Sequence, residues 1–179
     1  MHIEPSPSPD SSSLPYRDTK AVGAADFYFA INATFRFVLD RLGEAGLRRY
    51  WNDLGATYFA PVTAAWKSSG LPAIASYWRA FFAAEPGSQV SVEQRNDEVV
   101  LDVKCCPAIQ HLRAHGRAIV PCFCEHCYFV SEAIAAPAGF VVRVVGGNGS
   151  CRQSFRVRDD MCEPQDVSAI LRVTGDEPC

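Results

Sequence analysis

Three cysteines, a histidine and a glutamate are crowded into residues 121–127 of this 179-residue chain. Cys122, Cys124 and Cys127 flank Glu125 and His126. Thiolates are strong nucleophiles and soft metal ligands, while imidazole and carboxylate groups can transfer protons. This segment is therefore where the sequence predicts chemistry.

Two further cysteines lie at the ends of predicted strands. Cys106 follows one strand and precedes a proline, and Cys151 begins another strand after a glycine-rich turn. Four thiolates suit a tetrahedral zinc ion, so Cys106, Cys124, Cys127 and Cys151 are candidate zinc ligands. An iron–sulfur cluster accepts the same ligand type, but no spacing here matches a ferredoxin run.

A catalytic thiol is the alternative use of the same segment. In a helix that begins near Cys124, positions 124 and 127 lie one turn apart on the same face. The helix dipole would stabilise a thiolate at Cys124, and Glu125 and His126 are close enough to transfer protons. The candidate catalytic residues are therefore Cys124, Cys127, Glu125 and His126, although helical directions favour a supporting or surface position for His126.

The remaining cysteines carry no predicted chemistry. Cys105 has the same strand parity as Leu101 and Val103, which favours a small buried hydrophobe. Cys162 and Cys179 have no nearby partner in the sequence. Because the helical first half has no cysteine, the chain is unlike a short disulfide scaffold, and reduced thiols are favoured.

Apolar residues recur every three or four positions in the first half, which predicts three helices. The first ends at a break near Gly43 and Gly46, and the second follows at once, with Pro61 kinking it or ending its first part. The third has Pro72 in its first turn and stops at residues 86–87. Its aromatic residues could line a ligand cavity, but such a stripe is more typical of a core.

Alternating patterns then predict two hairpins. The first turns at Asn96 and Asp97. The second turns within residues 146–150, and pairing Gly147 with Ser150 places Val142 opposite Phe155 and turns Cys151 inward.

Three short helices complete the prediction. One spans residues 107–115, one begins near Cys124 and stops before Pro137, and the last lies between Pro164 and Gly175. The expected fold class is α+β, with a helical N-terminal half packed on a small antiparallel sheet of hairpins with further helices. Residues 1–22, rich in proline and serine, are expected to be a disordered tail, and residues 23–179 a single domain.

Charge and hydropathy limit the partners. The net charge of −3 comes from charges of mixed sign, which predicts neither nucleic-acid nor anionic-membrane binding. No leader segment and no apolar run of about 18 residues is evident, so a cytoplasmic protein is expected. The expected partner is a small molecule, and a homo-oligomer is left open.

Three sequence blocks together resemble a known enzyme family. They are residues 103–107 (Val-Lys-Cys-Cys-Pro), residues 123–127 (Phe-Cys-Glu-His-Cys) and residues 147–155, across the second turn. Their order and spacing are similar to the L-2-amino-thiazoline-4-carboxylic acid hydrolase family and, more distantly, to the vinyl-reductase domains. The resemblance covers about residues 25–158.

The resemblance implies a vinyl-reductase-domain-like fold with a small-molecule pocket between helices and a curved antiparallel sheet. It also implies that Cys106, Cys124 and Cys151 lie near this pocket. The family more often has an aspartate at the position of Cys127. A thiolate in its place favours tighter metal binding, a redox function or loss of the ring-opening reaction.

Two functions are therefore expected from different classes. The first is a hydrolase that opens a C=N or C–N bond of a sulfur- or nitrogen-containing metabolite at a zinc or reactive thiol centre. The alternative is a ligand-binding or sensory module, resembling the vinyl-reductase domains, with a structural metal site. A metal chaperone or iron–sulfur protein is a third hypothesis.

Overall fold

A computed structural model describes residues 23–175 of the chain. The predicted tail at residues 1–22 and Cys179 lie outside the described residues. Helices and strands alternate in the second half of the chain, whereas the first half is helical. The predicted α+β class is confirmed.

Two long helices form the first half: α1 (Phe27–Thr57) and α2 (Ala60–Ala84). Each is kinked at a glycine with positive φ, Gly43 at 68° and Gly70 at 67°. The predicted break at Gly43 is confirmed. The first part of the predicted second helix ends at Thr57, and Pro61 lies in the first turn of α2, so of the two roles expected near Pro61 it is the end of the first part that is present.

A five-stranded sheet follows, in the order β1-β2-β4-β3-β5. Its strands are β1 (Gln89–Gln94), β2 (Glu98–Cys105), β3 (Phe140–Gly147), β4 (Ser150–Val157) and β5 (Ile170–Leu171). Both predicted hairpins are present, and the predicted register of the second is confirmed, with Gly147 opposite Ser150 and Val142 opposite Phe155. The sheet is mixed rather than antiparallel, because β5 pairs parallel to β3.

Two shorter helices join the hairpins: α3 (Pro107–Ala114) and α4 (Glu125–Ala135). Both were predicted within a residue or two. A close approach of backbones places α4 against α1, since a Cβ at Gly55 would lie only 2.6 Å from the carbonyl oxygen of Val130. Glycine at this position therefore permits the close packing of α1 against the middle of α4.

The predicted C-terminal helix is wrong. Residues 164–175 instead contain one 3₁₀ turn, Val167–Ala169, and strand β5. The side-chain amide of Gln165 holds the segment to β3 by accepting from the amide of Val144 (3.0 Å) and donating to its carbonyl (3.2 Å). Tertiary pairing thus overrides the helix signals, and Gly147 permits it, because a Cβ there would lie 2.4 Å from the carbonyl oxygen of Leu171.

Two apolar clusters form the core on either side of α4. One joins α2 to the sheet and includes Trp66, Ile74 and Phe155. The other joins α1, α3 and the start of α4, and Cys124 packs against both. The aromatic residues of α2 belong mainly to the first cluster, as expected for a core stripe. Within the described residues, no helix is long and apolar enough to cross a membrane.

Candidate functional site: a cavity lined by four thiols

The four cysteines proposed as a ligand set line one cavity. Cys106 precedes α3, Cys124 precedes α4, Cys127 lies in the first turn of α4, and Cys151 lies in β4. The cavity has a volume of about 20 Å³, which is room for roughly one water-sized molecule. The tertiary fold thus brings together side chains from three separate parts of the chain.

The turn between β3 and β4 forms the opposite side of this cavity. The amide of Cys106 donates to the carbonyl of Gly149 at 2.7 Å, which fixes the start of α3 against the turn. Arg113 donates to the backbone and side-chain oxygens of Asn148 at 3.2 and 2.5 Å. Asn148 has a φ of 55°, the left-handed conformation that a tight Asn-Gly turn requires.

Burial keeps the cavity thiols protonated at neutral pH. It raises the pKa of Cys106 to about 12, and those of Cys124 and Cys127 to about 11. The pKa of Cys151 is also raised, by burial first and then by the charge that Cys127 would carry as a thiolate. A group of four thiolates would repel one another, so the uncharged form is the resting state.

Backbone amides partly oppose this effect at two of the thiols. The amides of Ala108 and Ile109, in the first turn of α3, favour the thiolate of Cys106 and lower its pKa. Those of Asn148 and Gly149 do the same for Cys124. The site therefore contains N–H groups that can stabilise developing negative charge, although burial dominates the pKa values.

His126 lies at the cavity and contacts Cys127. Its Nδ1 lies 2.5 Å from the carbonyl oxygen of Phe123, and because a carbonyl can only accept, Nδ1 carries the proton. The other nitrogen, Nε2, can then accept, and the sulfur of Cys127 lies 3.7 Å from Nε2 and 4.0 Å from Nδ1, close to both ring nitrogens. Burial lowers the pKa of His126, so the ring is neutral at neutral pH.

Aromatic side chains hold the His126 ring in this orientation. Its centroid is 5.0 Å from the ring of Phe123, 5.4 Å from Phe35 and 6.4 Å from Trp51. Phe35 and Trp51 both belong to α1. The direction of His126 on an isolated helix favours a supporting or surface position. Packing against α1, which an isolated helix does not have, turns the ring toward the cavity.

Glu125 does not line the cavity. Its carboxylate forms an ion pair with Arg48 at 2.9 Å, and its side chain is only 5% exposed. Arg48 also approaches Glu44, which accepts from Arg172 near the C-terminus. The carboxylate predicted to transfer protons is therefore engaged in a network that joins α1, α4 and the C-terminal segment.

Cys122 lies on this ion-paired side of α4. It is buried, with 1% of its surface exposed, and burial and the nearby Glu125 carboxylate raise its pKa. Cys105 is buried in β2 (3% exposed), as predicted, and Cys162 is half-buried in the loop after β4. Cys106, Cys122, Cys124, Cys127, Cys151 and Cys162 are free thiols.

One polar residue of the site was missed by sequence reasoning. Gln153 is 4% exposed, and its Nε2 donates to the sulfur of Cys151 at 3.7 Å. Its side chain also donates a hydrogen bond that lowers the pKa of Cys127. Strand parity could have found it, because a residue two positions after an inward-facing Cys151 shares the same face.

The four thiols have the chemistry of a soft-metal site but not its arrangement. In residues 23–175, no three or more cysteine, histidine, aspartate or glutamate side chains form a group that could hold a metal ion. The arrangement thus does not fit a pre-formed zinc centre. Zinc binding stays a prediction.

No protein-family model matches the chain, and no curated protein matches its sequence. The resemblance to the aminothiazoline-carboxylate hydrolases therefore rests on the three sequence blocks alone.

Proposed function

We propose that the protein is a small-molecule hydrolase, resembling the aminothiazoline-carboxylate hydrolases, in which Cys127 is the nucleophile and His126 the general base. The observation that carries the proposal is the relay Cys127–His126–Phe123 at the thiol-lined cavity. A thiol lies next to an imidazole acceptor, and a backbone carbonyl fixes the imidazole tautomer. Nucleophile, base and orienting group are the three parts that covalent catalysis by a cysteine needs.

The protonation states suit a concerted first step. At neutral pH Cys127 is a thiol and His126 is neutral, so the base can accept the proton that the nucleophile must lose. Because burial disfavours both the thiolate and the imidazolium, the proton moves as the sulfur attacks rather than before. The side-chain amide of Gln153, which lowers the pKa of Cys127, would stabilise the negative charge that develops on this sulfur.

The proposed hydrolysis of a C–N bond proceeds in two half-reactions. The sulfur of Cys127 attacks the carbon, its proton passes through His126 to the nitrogen, and the amine leaves while the acyl group of an amide, or the imidoyl group of an amidine, stays on sulfur. Water then attacks this thioester or thioimidate, His126 takes a proton of the water, and that proton returns to the sulfur as the acid or the amide is released. The first half needs no oxidant or metal, and water is the only co-reactant of the second.

The substrate proposed is a small sulfur- or nitrogen-containing metabolite. A cavity of about 20 Å³ holds only the reacting group, so the rest of the substrate lies outside it or enters as the β3–β4 turn moves. The fold proposed for this chain is the vinyl-reductase-domain-like variant of α+β, with its pocket between helices and a sheet.

The direct test is turnover of L-2-amino-thiazoline-4-carboxylate by the purified protein, followed by the ultraviolet absorbance of the ring. Mass spectrometry of quenched reactions should find a covalent adduct on the peptide that contains Cys127. Cys127→Ser should lower turnover at least about a thousandfold and His126→Gln about a hundredfold, while Cys162→Ser, at a half-buried loop thiol, should leave it unchanged. Turnover that survives Cys127→Ser would refute the proposed nucleophile.

A second candidate is a ligand-binding module with a structural metal site. It is favoured by the convergence of four thiols, a soft donor set that a single cation could draw together. Elemental analysis of the wild type, Cys124→Ser and Cys151→Ser tests it. Stoichiometric zinc in the wild type, lost in both variants, together with absence of turnover, would replace the hydrolase with this module.

A further inference from the structure

Gln153 stands beside the thiol cavity without lining it. It lies two residues after Cys151 on the same face of β4 and pairs in register with Val144, and both of these neighbours line the cavity. The residue is only 4% exposed. One end of its amide is committed, because Nε2 donates to the sulfur of Cys151.

The other end of the amide is unused. Five buried side-chain polar atoms in residues 23–175 have no hydrogen-bond partner, namely Trp51 Nε1, Trp66 Nε1, Trp78 Nε1, Arg113 Nε and Gln153 Oε1. Four of them are N–H donors, and Gln153 Oε1 is the acceptor. A buried carbonyl oxygen without a donor is costly, and the cost is recovered when a ligand supplies one.

We infer that Gln153 is the specificity-determining residue of this site, and that its Oε1 accepts a hydrogen bond from an N–H group of the ligand. The substrate class that follows is a small nitrogen compound with an N–H donor next to the carbon under attack, such as a primary amide or an amidine. Compounds that carry an ester or ketone oxygen in place of that N–H group leave Oε1 unpaired and are rejected. The inference rests on the proposed function for the position of the attacked carbon.

Two alkylating reagents of similar shape separate hydrogen bonding from thiol reactivity. Iodoacetamide carries N–H donors, and methyl iodoacetate does not. With either reagent a thiol sulfur displaces iodide, a C–S bond forms, and the thiol proton and iodide are released. Because both reagents meet the same thiol, the ratio of their rates cancels the protonation state of that thiol.

The ratio is measured for each cysteine by peptide mass spectrometry on the full chain, with Cys162 as the reference thiol in the same sample. In the wild type, the ratio of iodoacetamide to methyl iodoacetate rates at the cavity thiols should exceed the ratio at Cys162 by roughly tenfold, the effect of one buried hydrogen bond. Gln153→Met, which keeps the size and loses the oxygen, should bring the two ratios together. Gln153→Glu keeps an acceptor oxygen and should preserve the preference for iodoacetamide, whereas Ser154→Ala, on the opposite face of β4, should change nothing.

The outcomes separate this inference from the proposed function. Equal ratios at the cavity thiols and at Cys162 in the wild type overturn the inference, as does a preference that persists in Gln153→Met. If Gln153→Met does not fold, the wild-type ratio and Gln153→Glu still decide. Labelling that spares Cys127 but shows the Gln153-dependent preference at Cys151 supports the inference and counts against Cys127 as the nucleophile. If no cavity thiol reacts with either reagent, both this inference and the proposed function are overturned.

Discussion

The two sides of the first turn of α4 differ in how their polar groups are satisfied. On one side, the buried carboxylate of Glu125 is paired with Arg48 and joined through Glu44 to Arg172. On the other side, Cys127 faces neutral His126, three more thiols and an amide whose oxygen has no partner. The two sides are built from neighbouring residues of one short segment.

This difference separates stability from chemistry. A charge that already has its counter-ion gains nothing by meeting a substrate, so the Glu125 side is expected to hold the helix in place. Groups that are buried, uncharged and incompletely bonded can change partners, so the Cys127 side is expected to react. Glutamate and histidine stand side by side in the sequence, yet only the histidine reaches the cavity.

The largest expected effect is on the reactive side. Cys127→Ser should lower turnover by at least about a thousandfold, because a hydroxyl is a far weaker nucleophile than a thiol in this relay. The free energy of unfolding should change little, which chemical denaturation can verify. Retention of more than a tenth of the wild-type activity would show that another thiol does the work.

His126→Gln should have the next largest effect, a loss of about a hundredfold in kcat. Glutamine can still contact Phe123 and Cys127 but cannot take up a proton. Steady-state kinetics against Cys162→Ser as the control would measure the loss. A change confined to KM would mean that His126 binds substrate rather than moving a proton.

Arg48→Met is the matching change on the ion-paired side. It keeps the apolar stem and removes the charge, leaving the Glu125 carboxylate buried without its partner. A cost of about 2 kcal/mol in the free energy of unfolding is expected, less than for a fully buried pair because Arg48 is 35% exposed. Urea denaturation measures this cost, and alkylation of Cys127 should stay within about threefold of wild type.

If Arg48→Met instead abolished thiol reactivity while the fold survived, the two sides would be coupled and the division drawn here would be wrong. Glu125→Gln is the complementary test. It removes the buried charge itself, so no carboxylate is left without a counter-ion. The loss in the free energy of unfolding should therefore be smaller than for Arg48→Met.

The smallest expected effect is a loss of stability in alkali. The pKa of Cys127 is raised to about 11 in the folded protein, against an ordinary value of 9.0, so the unfolded chain loses this proton first. Stability should be unaffected by this thiol below pH 9 and fall as the pH rises from 9 toward 11, by about 1 kcal/mol near pH 10. Denaturation at pH 7, 9 and 10 checks the slope, and Cys127→Ser should reduce it.

Local sequence signals were sufficient to predict much of the secondary structure in the second half of the chain. The Asn148–Gly149 turn and strand alternation fixed the β3–β4 register correctly, and the start of α4 followed from its apolar pattern. These features depend on residues a few positions apart. The inward direction of Cys151 followed from the same parity, which is why the thiol set could be proposed before its geometry was known.

Other features depended on contacts distant in the sequence. The prediction of a C-terminal helix was wrong because Gln165 and Gly147 favour a parallel strand beside β3. The ion pair of Glu125 depends on Arg48, which lies 77 residues away in the sequence. No spacing within residues 121–127 could have shown that α1 supplies a counter-ion on one side and aromatic packing on the other.

The sequence by itself determined which chemistry the protein can attempt, since its cysteines and His126 supply thiols and an imidazole whatever the fold. It also determined the local elements that carry them. Only the tertiary structure decided that Cys106, Cys124, Cys127 and Cys151 share a cavity, that His126 faces it and that Glu125 does not. The physical reason is that burial and pairing with distant side chains set the charge of each group and decide whether its polar atoms have hydrogen-bond partners. Burial and pairing are properties of the packed core and not of the spacing of residues in the sequence.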